Sequence, residues 1–166
     1  MIHDDRTLQE QARAVGEAFL ARGLSLAVAE SCTGGLLAKV VTDGGGASAW
    51  FERGLVVYSN AAKQELLGVR GAVIQEAGAV SEAVAEALAG GLLGQAPVTH
   101  GVAITGVAGP EGGSPEKPVG TVWIGWGAPE GVDAERFCFS GDRDAVRRAS
   151  VAAALDGLLQ RCRGQV

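Results

Sequence analysis

Apolar residues at Leu8, Ala12, Val15, Phe19 and Leu20 recur close to every 3.6 positions, which predicts an amphipathic helix over 7–22. Asp4 and Asp5 precede it and Gly23 follows, the residue types that start and stop helices. The unbroken apolar run of 24–29 predicts a buried strand. A second helix starts at Gly34 and stops before Gly44, Gly45 and Gly46, where the backbone is free to reverse sharply. Residues 51–58 predict a second strand, followed by a short helix capped by Ser59 or Asn60 that runs to Leu67 and stops at Gly68. Ser81 caps a further helix over 82–93, with Pro97 marking its exit. A third strand over 101–105 leads into a long connection, 106–120, that is rich in glycine and holds three of the five prolines. Two strands, 121–126 and 135–139, turn back on each other around 129–131, and a last helix follows Gly141 and Asp142 to about Arg161.

Strands alternating with helices predict a single three-layer α/β/α domain, residues 1–166, around a mixed sheet. Ligands of such sheets gather at the carboxyl ends of strands, and Ser31, Tyr58 and Thr105 all fall there. The long connection at 106–120 has two readings, a ligand-binding loop or a surface insertion. With 166 residues, 47% of them hydrophobic, the chain is large enough to fold without a disulfide or metal. Three cysteines, Cys32, Cys138 and Cys162, are an odd number without metal spacing and point to a reducing, cytoplasmic setting. The polar, acidic start does not read as a secretory signal, and no apolar run approaches the ~20 residues of a membrane span. A net charge of −5 with only 5% aromatic residues argues against a nucleic-acid surface.

The stretch Ala29-Glu30-Ser31-Cys32-Thr33-Gly34-Gly35 reads as a strand, a tight turn and a helix start. Ser31 or Thr33 either caps that helix or presents a hydroxyl, beside free backbone N–H groups, to an incoming anion or oxyanion. Serine–histidine and zinc chemistry are disfavoured, because there are only two histidines. His3 is in the tail, and His100 starts the strand ending at Thr105, about 16 Å from its reactive end at ~3.3 Å per residue. Lysine is the alternative base. Lys39 lies eight residues along the helix from Ser31, about 12 Å away at ~1.5 Å per residue. Lys63 falls in the first turn of its helix, where the positive helix end and partial burial lower the pKa; the other reading is a solvated surface lysine. Tyr58 either relays a proton or simply packs. Cys32 competes with Ser31 because a helix start lowers a thiol pKa, but ranks second because no histidine is available to partner it. Arg143 and Arg147, one turn apart, form either a fork for an anion or a surface pair among Asp142 and Asp144.

Together with Tyr58-Ser59-Asn60 and Lys63, Gly78-Ala79-Val80-Ser81, Thr105-Gly106-Val107-Ala108-Gly109-Pro110, Lys117-Pro118-Val119-Gly120 and Gly141-Asp142-Arg143, this stretch resembles the CinA C-terminal domain family over about residues 5–160. The resemblance implies a mixed, mostly parallel five-stranded sheet, a homodimer, and a metal-free amidohydrolase without cofactor. That enzyme converts nicotinamide mononucleotide and water to nicotinate mononucleotide and ammonia in pyridine-nucleotide recycling. It also implies Ser31 as nucleophile, Lys63 as base and Tyr58 as an assisting residue, with Thr105 and Arg143 in the substrate site. Backbone N–H groups near Thr33, Gly34 and Gly106 are the expected oxyanion donors, Gly35 is counted with the substrate-binding residues, and Arg143 with Arg147 or Lys117 are the expected phosphate ligands. Two competing readings are a non-catalytic nucleotide-binding or interaction module and an amidase for another small amide.

Overall fold

The computed structural model describes residues 3–164; Met1, Ile2, Gln165 and Val166, at the ends of the expected domain, lie outside them. Helix α1 (Asp5–Arg22) begins where the Asp4 carboxylate accepts the Thr7 N–H at 2.8 Å and ends at Gly23 in the left-handed region. Strand β1 (Leu26–Glu30) follows, with all five residues buried, and the turn 31–35 leads into α2 (Leu36–Asp43). Beyond a 3-10 turn at Ala47–Ala49 come β2 (Phe51–Val56), α3 (Asn60–Leu67), α4 (Gly71–Ala77) and α5 (Glu82–Gln95). The chain closes with β3 (His100–Gly106), β4 (Thr121–Ala128), β5 (Gly131–Cys138) and α6 (Arg143–Arg163). Among the described residues no helix is long and apolar enough to cross a membrane.

The five strands form one sheet in the order β2-β1-β3-β4-β5. β1 pairs in parallel with both β2 and β3, while β4 is antiparallel to β3 and to β5, so four strands share a direction and β4 opposes them. The side-chain alternation of a strand sorts the core into two layers. Val28, Val102 and Ile104 pack with α1, α2 and α6; Ala27, Ala29 and Ala103 pack with α3, α4 and α5. The second face is built from small residues, which lets α5 approach closely. A Cβ added at Gly125 would lie 2.4 Å from the Ala85 carbonyl oxygen, so only glycine fits beneath the helix.

Several elements differ from expectation: β2 ends at Val56 rather than 58, so Tyr58 lies two residues beyond it, and α2 starts at Leu36 rather than Gly34 because Gly34 and Gly35 take left-handed backbone. Helix α4 was missed because it is a short segment with only one buried apolar residue, Ile74, too little to show a 3.6-residue period. Strand β5 starts at Gly131 rather than Glu135, since as an exposed edge strand it carries no buried alternation. β1 extends through Glu30, one residue past the expected end, which places a carboxylate inside the fully buried strand.

The order of connections opens a crevice. After β1 the chain passes to α2 on one face, and after the adjacent β2 it passes to α3 on the other. Neighbouring parallel strands whose connections diverge leave a cleft at their carboxyl ends. Residues 31–35 and 57–63 follow the carboxyl ends of β1 and β2.

Candidate active site

Ser31 is the first residue beyond β1 and is largely buried. Its N–H donates to the Ile104 carbonyl at 3.0 Å, anchoring it to the neighbouring strand, and its own carbonyl accepts the Gly34 N–H at 3.1 Å. Gly34 (φ 57°) and Gly35 (φ 99°) both take left-handed backbone, so the turn needs glycine at these positions.

Neither Ser31 nor Thr33 caps α2. Gly35 is the cap residue and has no side-chain cap bond. The cap comes from Glu30, whose two carboxylate oxygens accept the Leu37 N–H at 2.8 Å and the Ala38 N–H at 3.0 Å. Leu36 N–H donates to Thr33 O and Lys39 N–H to Gly35 O, so every first-turn donor of α2 is satisfied internally. An incoming anion therefore does not meet the helix end. It meets the turn, where the N–H groups of Thr33 and Gly35 have no protein acceptor among the described residues. The Gly34 N–H is already engaged with Ser31 O.

Lys63 is 1% exposed, which overturns the solvated-surface reading. Its Nζ donates to the Tyr58 carbonyl at 3.1 Å, and no ion pair with a carboxylate is found for it among the described residues. Burial holds its pKa below the ordinary 10.5, with Cys32 pulling slightly the other way. Ser59 caps α3 through the Ala62 N–H at 3.0 Å and thereby sets the turn that carries Lys63 inward. Tyr58 meets Lys63 through its main chain; its ring is 64% exposed. Cys32 is buried beside Ser31, and burial, reinforced by Glu30, pushes its thiol up to about 11 despite the opposing Arg143 and Arg147. The expected lowering at a helix start does not occur, because desolvation outweighs the partial charge of a helix end already neutralised by Glu30.

Thr105 is buried at the end of β3, where its hydroxyl donates to Ala79 O at 2.9 Å, and the adjacent Gly106 pairs with Val122. The two arginines diverge rather than form one fork. Arg143 Nη1 donates to Gly109 O at 2.8 Å, whereas Arg147 Nη2 donates to Thr33 O at 2.9 Å with its Nε buried and unpartnered. Lys117 Nζ donates to Ala77 O at 2.9 Å. Each of the three cations thus braces one of the loops around the cleft, and the 106–120 connection is tied down from both sides rather than being a loose insertion. His100 lies at the opposite end of β3 from Thr105, bonded to Thr99 and packed on Phe19.

A buried serine and a buried lysine follow adjacent parallel strands, beside free backbone donors and with no histidine in the cleft, and comparison with known proteins bears on what this arrangement is. The CinA C-terminal domain profile matches residues 8–162. The chain belongs to the CinA C-terminal domain family. It is 52% identical over 157 residues to the nicotinamide-nucleotide amidohydrolase PncC of Escherichia coli K12, covering 94% of this chain and 95% of that protein. It is 51% identical over 146 residues to the protein of the same name from Pseudomonas putida, covering 88% and 91%. Its fold is similar to the crystal structure of competence damage-inducible protein A from Klebsiella pneumoniae, with a TM-score of 0.92 and 36% identity over 96% of this chain and 99% of that one. Within this CinA domain, Glu30 is the residue whose function sequence reasoning left unassigned. Its one signal was a carboxylate at the end of an otherwise apolar strand, where an ionisable group needs a buried partner.

Proposed function

We propose that the chain is a nicotinamide-nucleotide amidohydrolase that converts nicotinamide mononucleotide and water to nicotinate mononucleotide and ammonia. The observation that carries this reading is Lys63, an amine desolvated on α3, the helix that follows the strand beside β1, with its Nζ donating to a main-chain oxygen. Such a lysine reaches its neutral, proton-accepting form at lower pH than a free one. The close relatives named for this activity support the substrate.

In the reaction, Ser31 Oγ attacks the carboxamide carbon while Lys63 Nζ takes the hydroxyl proton. The N–H groups of Thr33 and Gly35 hold the oxyanion, an effect of about 3–4 kcal/mol for a well-placed donor. Collapse breaks the C–N bond, and the Lys63 ammonium returns its proton to the departing ammonia. Water, deprotonated by Lys63, then attacks the Ser31 ester; as the acyl–oxygen bond breaks, Lys63 passes that proton to Ser31 Oγ, and the acid product leaves with serine and neutral lysine restored. Arg143, exposed at the mouth of the cleft, is assigned to the 5′-phosphate; Thr105 and Gly106 line the substrate's far side. Arg147 sits behind the turn, and Tyr58 supplies the carbonyl that aims Lys63 and an aromatic face at the rim. A homodimer in the cytoplasm completes this reading.

Ammonia release from nicotinamide mononucleotide by purified protein tests it. Wild type is expected to turn over, and folded Ser31→Ala and Lys63→Ala to lose most of that turnover. Near-wild-type rates in either variant remove the mechanism. Release from non-nucleotide carboxamides instead would redirect the substrate.

A further inference from the structure

Glu30 takes no part in the reaction above, yet it is 1% exposed and directly precedes the nucleophile. Burying a carboxylate is strongly unfavourable unless its oxygens are matched by donors. Here both are matched, by two consecutive backbone N–H groups of α2 at 2.8 and 3.0 Å. The contact spans the turn that carries Ser31: its near end is the last residue of β1, and its far end is the first turn of the next helix. A second brace meets the same turn from the opposite side, where Arg147 donates to Thr33 O. The Thr33 carbonyl belongs to the peptide whose Gly34 N–H donates to Ser31 O, so the arginine bond continues through one peptide to the nucleophile's own carbonyl.

We propose that Glu30 is a positioning residue for Ser31: its buried carboxylate clamps β1 to the amino end of α2, fixes the 31–35 turn between them, and leaves the turn's own N–H groups facing the substrate. Two consequences follow. The nucleophile's geometry depends on both acceptor oxygens, since a glutamine offers one acceptor and turns an NH₂ donor against a backbone N–H. The helix end is also closed to the anionic part of the substrate, which is directed toward Arg143.

The proposal rests on Ser31 being the nucleophile, so the test separates the two. Wild type, Glu30→Gln, Glu30→Asp and Ser31→Ala are compared for turnover of nicotinamide mononucleotide and for labelling by an alkyl fluorophosphonate. In labelling, Ser31 Oγ forms a bond to phosphorus, fluoride leaves, and the hydroxyl proton passes to the base; the adduct is read by intact mass. Wild type is expected to be labelled at Ser31 and Ser31→Ala to remain unlabelled. Glu30→Gln, folded by circular dichroism, is expected to lose roughly tenfold to a hundredfold in kcat with KM within about twofold, and to lose labelling rate in proportion, as a displaced nucleophile does. A wild type that is neither labelled nor active refutes the nucleophile assignment and with it this proposal. An active, labelled wild type with Glu30→Gln within about threefold of it in kcat, or with its loss confined to KM, overturns the role of Glu30 alone. Should Glu30→Gln not fold, Glu30→Asp decides: it keeps both oxygens but is one methylene short, so kcat should fall with KM held, and an unchanged kcat overturns the proposal.

Discussion

The two ends of the central strands β1 and β3 are built from the same buried backbone but differ in how they treat polar groups. At the amino ends, Ser25 and Thr99 exchange hydrogen bonds: Ser25 N–H donates to Thr99 Oγ1 at 2.9 Å, Thr99 N–H to Ser25 Oγ at 3.1 Å, and Thr99 Oγ1 to Ser25 O at 3.1 Å. His100 joins this network through Nδ1 at 2.9 Å, and burial, against an opposing pull from Glu130, lowers its pKa. The hydroxyls here are tied to the neighbouring backbone, while the far nitrogen of His100, Nε2, is buried without a hydrogen-bond partner among the described residues. At the carboxyl end of β1 and beyond that of β2, by contrast, a carboxylate and an amine are both buried, and no ion pair between them is found among the described residues. Lys63 rests on a carbonyl and Glu30 on two N–H groups. One end of the sheet ties side-chain hydroxyls to the backbone; the other buries an amine and a carboxylate on backbone partners.

The largest expected effect would break that contrast outright. Ser31→Ala or Lys63→Met should lower ammonia release by at least about a thousandfold, while Lys63→Met melts no lower than wild type because it removes a desolvated amine. A melting temperature far below wild type would show that Lys63 is structural. Next is a change at neither end. Gly125→Ala drives a methyl into the Ala85 carbonyl and should destabilise by about 3 kcal/mol in denaturant titration, with kcat per folded molecule unchanged.

The pH profile sharpens the carboxyl-end side. Because the Lys63 pKa is lowered and the reaction needs the neutral amine, kcat/KM should rise about tenfold per pH unit and level off below 10.5, the ordinary lysine value. Between the lowered pKa and 10.5 the unfolded chain holds one more proton than the folded one, so stability should rise with pH in that window and the slope should vanish in Lys63→Met. A rate that is flat with pH across the range would contradict the base. The smallest effect belongs to the amino end: Thr99→Val should cost about 1 kcal/mol of stability and leave kcat and its pH profile as they are.

Much of the fold was legible along the chain. The period of α1, the glycine stops at Gly23 and Gly68, the caps at Ser59 and Ser81 and the start of α6 after Asp142 are local patterns, and the structure keeps them within a few residues. The placement of Ser31 and Thr105 at strand ends was legible for the same reason, whereas β2 stops at Val56 and leaves Tyr58 two residues beyond it. The shortage of histidines narrowed the candidate chemistry before any geometry was known. α4 and the start of β5 were not, because a short or solvent-exposed element buries too little to impose a period.

The site divides along the same line. Which residues stand beside the turn was set by the sequence of Glu30-Ser31-Cys32-Thr33-Gly34-Gly35, including the two glycines its left-handed backbone needs. What each does was decided by contacts between elements distant in the chain. The burial of Lys63 depends on how α3 packs against the sheet, the raised Cys32 thiol on the loss of solvent around it, and the separate tasks of Arg143 and Arg147 on loops far from α6 in sequence. Glu30 is the clearest case. Its identity was plain in the sequence, but only the packing of α2 on β1 brings two unpaired N–H groups to its oxygens, since a residue's solvation and partners are properties of the assembled core rather than of its neighbours in the chain.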